Sequence, residues 1–215
     1  MFTQDFETVF KKTGGRWKRW RKSLKSKQDA MAYGDKKEAL QELQLLEKQD
    51  YIDLFYGDES GFSLTPVTAY AWQYKGEQIQ ILPQKSKRVN VFGLMSKGKK
   101  LISFLKEGTI KASFVVSCIE EWMKTLHKPT VLVLDNAPVH QADLQAKIEE
   151  WQQRDLFIFF LPAYSPHLNK IEHLWRKVKY EWLKPEAYSS LATLKAAIEL
   201  IFSNFGEQYS IKFME

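Results

Sequence analysis

Apolar and polar positions change period several times along the chain, and each change marks an element. The run DKKEALQELQLLEK places its leucines at helical spacing, and Asp35 with Glu38 three residues on gives a capping-box pattern, so an amphipathic connecting helix is predicted over 35–48. From Tyr51 the period falls to two. IDLFYGD, ending at Asp58, TAYAWQY (68–74) and RVNVFGLM (88–95) are rich in β-branched and aromatic residues and predict strands. A turn at Ser96-Lys97-Gly98-Lys99 leads to LISFL (101–105) and completes a hairpin. KASFVVSCIEEWMKTL (111–126) returns to helical spacing, with Phe114, Val115, Cys118, Ile119, Trp122 and Met123 on one face. TVLVL (130–134) and LFIFFL (156–161) are apolar throughout, as strands buried on both faces are. A helix over 141–153, with Leu144, Ile148 and Trp151 inward, separates them. Two more helices, over 167–182 and 189–205, finish the chain, and a short one over 5–12 is closed by Gly14-Gly15.

Composition bounds the answer. The 215 residues are 44% hydrophobic and 14% aromatic, enough for one sizeable core and too apolar for global disorder. The one cysteine, Cys118, falls on an apolar helix face and reads as core; no internal disulfide is possible, and no Cys–His cluster points to structural zinc. No apolar run approaches the roughly 20 residues that span a bilayer, and the first residues lack the basic start and apolar core of a signal peptide. A cytoplasmic protein without membrane partners is the expectation.

Charge changes the picture more. The net charge is +6 and the pI about 9.2, but the excess is concentrated. KKTGGRWKRWRKSLKSK, residues 11–27, holds nine Lys or Arg and no acid, with Trp17 and Trp20 interleaved. Such a segment gains by releasing counterions from a phosphate backbone, and its aromatics pack on sugars or bases. Arg16, Trp17, Lys18, Arg19, Arg21 and Lys22 are the candidate DNA contacts; a solvated linker is the bland alternative.

Three acids carry the candidate chemistry. Asp58 closes an apolar run in LFYGDESGF, Asp135 closes another in VLVLDNAPVH, and Glu172 stands early in a predicted helix in LPAYSPHLNKIEHLW. Carboxylates at the exits of buried strands pack poorly and hold hard cations well; two Mg²⁺ ions about 3.5–4 Å apart clamp the attacking and leaving oxygens of a phosphodiester. Each acid also has an unremarkable reading. Asp58 could begin a turn, Asp135-Asn136 an Asx turn, and Glu172 an exposed i,i+4 pair with Arg176. Glu59 competes with Asp58, but successive strand residues face opposite ways, so only one joins a site directly.

GDESGF, LDNAPVH and LPAYSPHLNKIEHLW, in this order, with 76 residues between Asp58 and Asp135 and 36 between Asp135 and Glu172, resemble the three catalytic blocks of the IS630 branch of the IS630/Tc1/mariner transposases. The resemblance covers about residues 50–182. It implies an α/β, ribonuclease H-like fold: a mixed five-stranded sheet flanked by helices, with a short helical basic N-terminal arm. It implies Asp58, Asp135 and Glu172 as catalytic and metal-ligating residues, with two Mg²⁺ or Mn²⁺ ions. Asn136 and His140 stand as candidate supporting residues, and Arg176 and Lys179 as further DNA contacts. Cut-and-paste DNA transposition follows, acting on terminal inverted repeats and a TA target, with a homodimer assembled on the DNA in a prokaryotic nucleoid. The expected division is a basic arm and connecting helix at 1–49 and a catalytic domain at 50–215. In the family a helix-turn-helix region precedes such an arm; residues 1–27 have room for its tail, so an upstream-frame product is the expected source of the rest. A DNA-binding remnant and another ribonuclease H-like nuclease are the alternatives. Lys170 stands where the family usually has proline.

Overall fold

In the computed structural model, which describes residues 29–66, 74–76, 78, 87–97, 100–136 and 138–213, five strands form one mixed sheet. Strands β1 (Asp53–Ser63), β2 (Arg88–Ser96) and β3 (Leu101–Glu107) run antiparallel, while β4 (Thr130–Leu134) and β5 (Leu156–Phe160) add in parallel to the other edge of β1, giving the order β3-β2-β1-β4-β5. The helices are α1 (Ala30–Lys48), α2 (Ala112–Met123), α3 (Pro138–Gln152), α4 (Ile171–Lys177) and α5 (Leu191–Ser203). This is the predicted α/β, ribonuclease H-like architecture. No helix among the described residues is long and apolar enough to cross a membrane.

Strand alternation sorts the core into two layers. Leu54, Tyr56, Val91, Met95, Val131 and Val133 face α4 and α5. Phe55, Phe92, Leu94, Leu132 and Leu134 face α2 and α3, meeting Ile119, Trp122, Leu144 and Trp151. Side chains such as Leu132 and Ile119 are fully buried, each worth about 1.5–3 kcal/mol over its exposed state. The apolar face predicted for 111–126 is therefore the packed one, with Cys118 in the core.

Several boundaries differ from the sequence expectations. The connecting helix begins at Ala30, and its N-cap is Asp29, whose carboxylate accepts from the amides of Met31 and Ala32; Asp35 lies inside the helix. Gly34 lies inside the helix, where one glycine costs only about 1 kcal/mol. The packing of Tyr33, Leu40 and Leu43 on the sheet's core outweighs it. The helix expected over 167–182 is three pieces: a 3-10 turn at Pro166–Leu168, α4, and a π turn at Val178–Trp182. The last helix starts at Leu191, where Ser190 and Thr193 form a reciprocal capping box, and a 3-10 turn, Pro185–Ser189, precedes it. The helix expected over 5–12, residues 68–73 of the strand expected over 68–74, and Arg16, Trp17, Lys18, Arg19, Arg21 and Lys22 lie outside the described residues.

Candidate active site

Two of the three acids come from neighbouring strands. The parallel β1–β4 ladder ends with Tyr56 opposite Val133, and two residues on stand Asp58, still within β1, and Asp135, just past the end of β4. Asp58 is not at the end of its strand: β1 runs on to Ser63, and Asp58 pairs with Gly93 of β2. The apolar run stops there because β4 stops there, uncovering the long antiparallel ribbon. Asp58 shares the face of Tyr56 and reaches α4, whereas Glu59 points to the other face and borders a small recess with Phe92, Val115 and Leu144. Alternation thus puts Asp58 on the side of α4 and Glu59 on the side of α2 and α3.

Glu172 comes from α4. Its turn begins early, with the Glu172 amide donating to the Asn169 carbonyl at 3.2 Å and the His173 amide to Lys170 at 3.1 Å. Lys170 has φ −61°, within the range a proline ring imposes, so lysine keeps the backbone the family's proline would give. The Asn169 Nδ2 donates to the Gly57 carbonyl at 3.0 Å, and the Trp175 indole Nε1 donates to Asp58 Oδ2 at 2.9 Å. Trp175 lies against Gly93, where a Cβ would come within 2.7 Å of the ring.

The three acids border one cleft of about 280 Å³, together with Asn136, Asn169 and the Leu161–Pro166 loop. They share it rather than close a cage: among the described residues no three His, Cys, Asp or Glu side chains are already gathered as a ligand set. Their charges still meet. Burial, then the charges of Glu172 and Asp135, push the Asp58 carboxyl up to about 8, against the lowering effect of the Glu59 amide and Trp175. Burial raises Glu172 as well; Lys179 opposes this and Asp135 adds to it. Such a site fits a hard divalent cation: its charged donors are all oxygen, and their repulsion is what a cation relieves.

The other predicted residues divide. Lys179 reaches the site: it is half-buried, lies over the Phe62 ring at 5.2 Å, and feels the charges of Glu172 and Asp58. Arg176 is exposed, and the cation whose charge reaches Glu172 is Lys179, so the i,i+4 pair with Arg176 is not what holds Glu172. Asn136 borders the cleft; His140 is in the first turn of α3, and its side chain is outside what is described. Asn169 and Trp175 were missed as site residues. Trp175 stands at helical spacing with the buried Ile171, Leu174 and Val178, but such a stripe says nothing about where an indole N–H points. Its only sequence signal is the matching spacing, three residues either side of Glu172.

A family described as DDE superfamily endonuclease matches residues 53–195, from the first residue of β1 to α5. The chain belongs to this family. Among curated relatives, this DDE-family chain is 23% identical to an uncharacterised 39 kDa protein of insertion element IS630 from Shigella sonnei, over 57% of the chain and 36% of that protein. It is 29% identical to the transposable element Tcb2 transposase of Caenorhabditis briggsae, over 61% of the chain and 52% of that protein. A crystal structure of the Mos1 mariner paired-end complex with Mn superposes with TM-score 0.60 at 16% identity, covering 96% of the chain and 64% of the Mos1 chain. The DDE-family chain therefore spans between about a third and two thirds of the length of these proteins, and it shares the ribonuclease H-like fold with that Mos1 structure.

Proposed function

We propose that this chain is the catalytic part of an IS630-like transposase, cleaving DNA at the ends of an insertion sequence and joining the freed 3′ ends to target DNA. The observation that carries the reading is the meeting of Asp58, Asp135 and Glu172 on one cleft from three separate elements. Transposase relatives and the mariner paired-end complex with Mn support the same reaction.

Asp58, Asp135 and Glu172 would hold two Mg²⁺ or Mn²⁺ ions through carboxylate oxygens. Bound there, the cations supply charge stabilisation to the attacking and leaving oxygens of an in-line displacement at phosphorus. Lys179 offers its ammonium to a phosphate entering the cleft, and Asn136 lines the route. The cleft continues past Asn136 and Leu161–Ala163 into a hollow of about 480 Å³ bordered by Lys36, which gives the strand a second cationic contact. Residues 1–49 serve as the basic arm and connecting helix, with Arg16, Trp17, Lys18, Arg19, Arg21 and Lys22 tracking the duplex, and residues 50–215 as the catalytic domain. The partners are terminal inverted repeats, a TA target and a second copy on paired ends; the working compartment is the cytoplasm.

Nicking of supercoiled DNA carrying the element's ends, in Mg²⁺ or Mn²⁺, tests the proposal. Asp135→Asn keeps the shape and loses the charge, and should abolish nicking. Nicking that persists unchanged in this variant refutes the assignment.

A further inference from the structure

Asn169 and Trp175, the two residues placed symmetrically about Glu172, both reach back to the strand that carries Asp58. Asn169 donates to the carbonyl of Gly57, and Trp175 donates to the carboxylate of Asp58. Asn169 precedes the helix with an extended backbone (φ −84°, ψ 105°) and Trp175 lies within α4, so the two donors grip β1 from either side of Glu172. Both donors are buried, at 2% and 3% exposure. A buried donor is costly unless paired, so each bond fixes its side chain rather than merely decorating it.

The fit is specific on both sides. The Trp175 ring occupies a notch over Gly93, the residue directly opposite Asp58 across the β1–β2 ladder, with Ile171 beside it. Any side chain at 93 would displace the ring and carry the indole N–H away from Asp58. Asn169 cannot exchange its amide ends, because Nδ2 must face the Gly57 carbonyl; its Oδ1 stays buried without a donor as the cost of that orientation.

The chemistry of the two donors matters. Asp58 and Glu172 repel one another, so α4 needs something to hold it against β1. Lysine or arginine would do so electrostatically, but would also compete with a cation for the same negative charge. An amide and an indole hold the helix without neutralising either acid. Fixing Oδ2 of Asp58 also fixes the rotation of the carboxylate, as the outer partners of metal ligands do.

We propose that Asn169 and Trp175 form a two-point neutral brace that registers the Glu172 helix against β1 and so sets the spacing and orientation of Asp58 and Glu172 for cation holding. They are positioning residues that touch neither DNA nor the reacting atoms. This rests on the reading of Asp58 and Glu172 as cation ligands.

The test is Mn²⁺ binding to the full 215-residue chain, followed by calorimetry without DNA, beside nicking over a Mn²⁺ series. Four variants are compared: Asp58→Asn, Asn169→Ala, Trp175→Phe, and Trp175 replaced by 3-benzothienylalanine, which keeps the ring's shape and lacks the N–H. Asp58→Asn should lose Mn²⁺ binding. The benzothienyl variant and Asn169→Ala should each weaken Mn²⁺ binding about 10- to 100-fold. Their nicking should be recovered substantially at high Mn²⁺, which a purely structural defect would not allow. The benzothienyl variant should also keep a wild-type metal-free melt, so that loss of folding in Trp175→Phe leaves the inference testable. Wild-type Mn²⁺ affinity in the benzothienyl variant overturns the brace alone, including where Trp175→Phe is impaired, since packing is then the cause. Undiminished Mn²⁺ binding by Asp58→Asn overturns the cation reading and the brace with it.

Discussion

The Tyr33 hydroxyl and His167 Nε2 lie 2.8 Å apart, with the two rings 5.3 Å between centroids. This pair joins α1, the helix that leads in from the basic arm, to the 3-10 turn that leads into Glu172. A displacement of α1 would act through this pair on the segment that presents the third acid.

Tyr33→Ala should loosen that turn. The amides of Leu168 and Asn169, which donate to Ser165 and Pro166 at 3.0 Å, should exchange with solvent faster, while those of β1 and β4 should not change. Tyr33→Phe, which keeps the ring contact, should cost no more than about 1 kcal/mol in a denaturant melt. Equal protection of the turn in Tyr33→Ala and wild type would show that the two elements are mechanically independent.

Stability without metal should fall as pH rises. The folded protein retains a proton on Asp58 up to about 8, whereas the unfolded chain releases it near 3.8. Between those limits the folded state binds more protons, so stability declines, with a slope of at most about 1.4 kcal/mol per pH unit for this group. Glu172, also raised, acts in the same direction. Mg²⁺ displaces the proton and should reverse the trend. Melts at pH 5 and pH 8 with and without Mg²⁺ check the sign; higher metal-free stability at pH 8 arising from this site would contradict it. Asp58→Asn should flatten the metal-free profile.

Lys179 acts on two partners with opposite sign. Removing its charge with Lys179→Met, which preserves the stem over Phe62, leaves Glu172 and Asp58 less compensated. Mn²⁺ affinity should rise about two- to fivefold, the scale of one partly screened charge. DNA affinity should fall, and the salt dependence of binding should lose about 0.9 in slope if one phosphate contact is lost. A parallel fall in both affinities would place Lys179 in a structural role.

Gly93→Ala should be costly for a reason local to Trp175. The added Cβ meets the indole ring at 2.7 Å and Ile171 at 3.2 Å, both held in the core. Destabilisation of about 1–3 kcal/mol is expected from overpacking, together with weaker Mn²⁺ binding. A fully stable variant with normal binding would mean that the ring has room to move.

The elements that position the site were legible because their patterns are dictated by burial. TVLVL had to be a central strand, and alternation along LFYGDE allowed only one of Asp58 and Glu59 to face a given side, the choice of Asp58 coming from the resemblance. What could not be read was relational. Asp58 looked like a strand terminus, since the apolar run ends there, but it lies mid-strand because β4 is short. Two aspartates could cap α1, and only the docking of Tyr33 and Leu40 decides for Asp29. The run 167–182 has a helical period throughout, and period alone does not reveal that the backbone tightens before Glu172 and widens after Lys177.

The way Asp58 and Asp135 are brought together has a consequence for how freely the rest of the chain can vary. The parallel ladder beneath them runs from Asp53–Thr130 to Tyr56–Val133, and the connection from β1 to β2 takes no part in it. The frame for two of the three acids is therefore indifferent to the length of the excursion that joins β1 to β2. Insertions, tags or a grafted module near Gly76 would change what the protein meets at its surface without moving these two carboxylates apart, making that excursion the natural place for related chains to diverge in reach while keeping one chemistry.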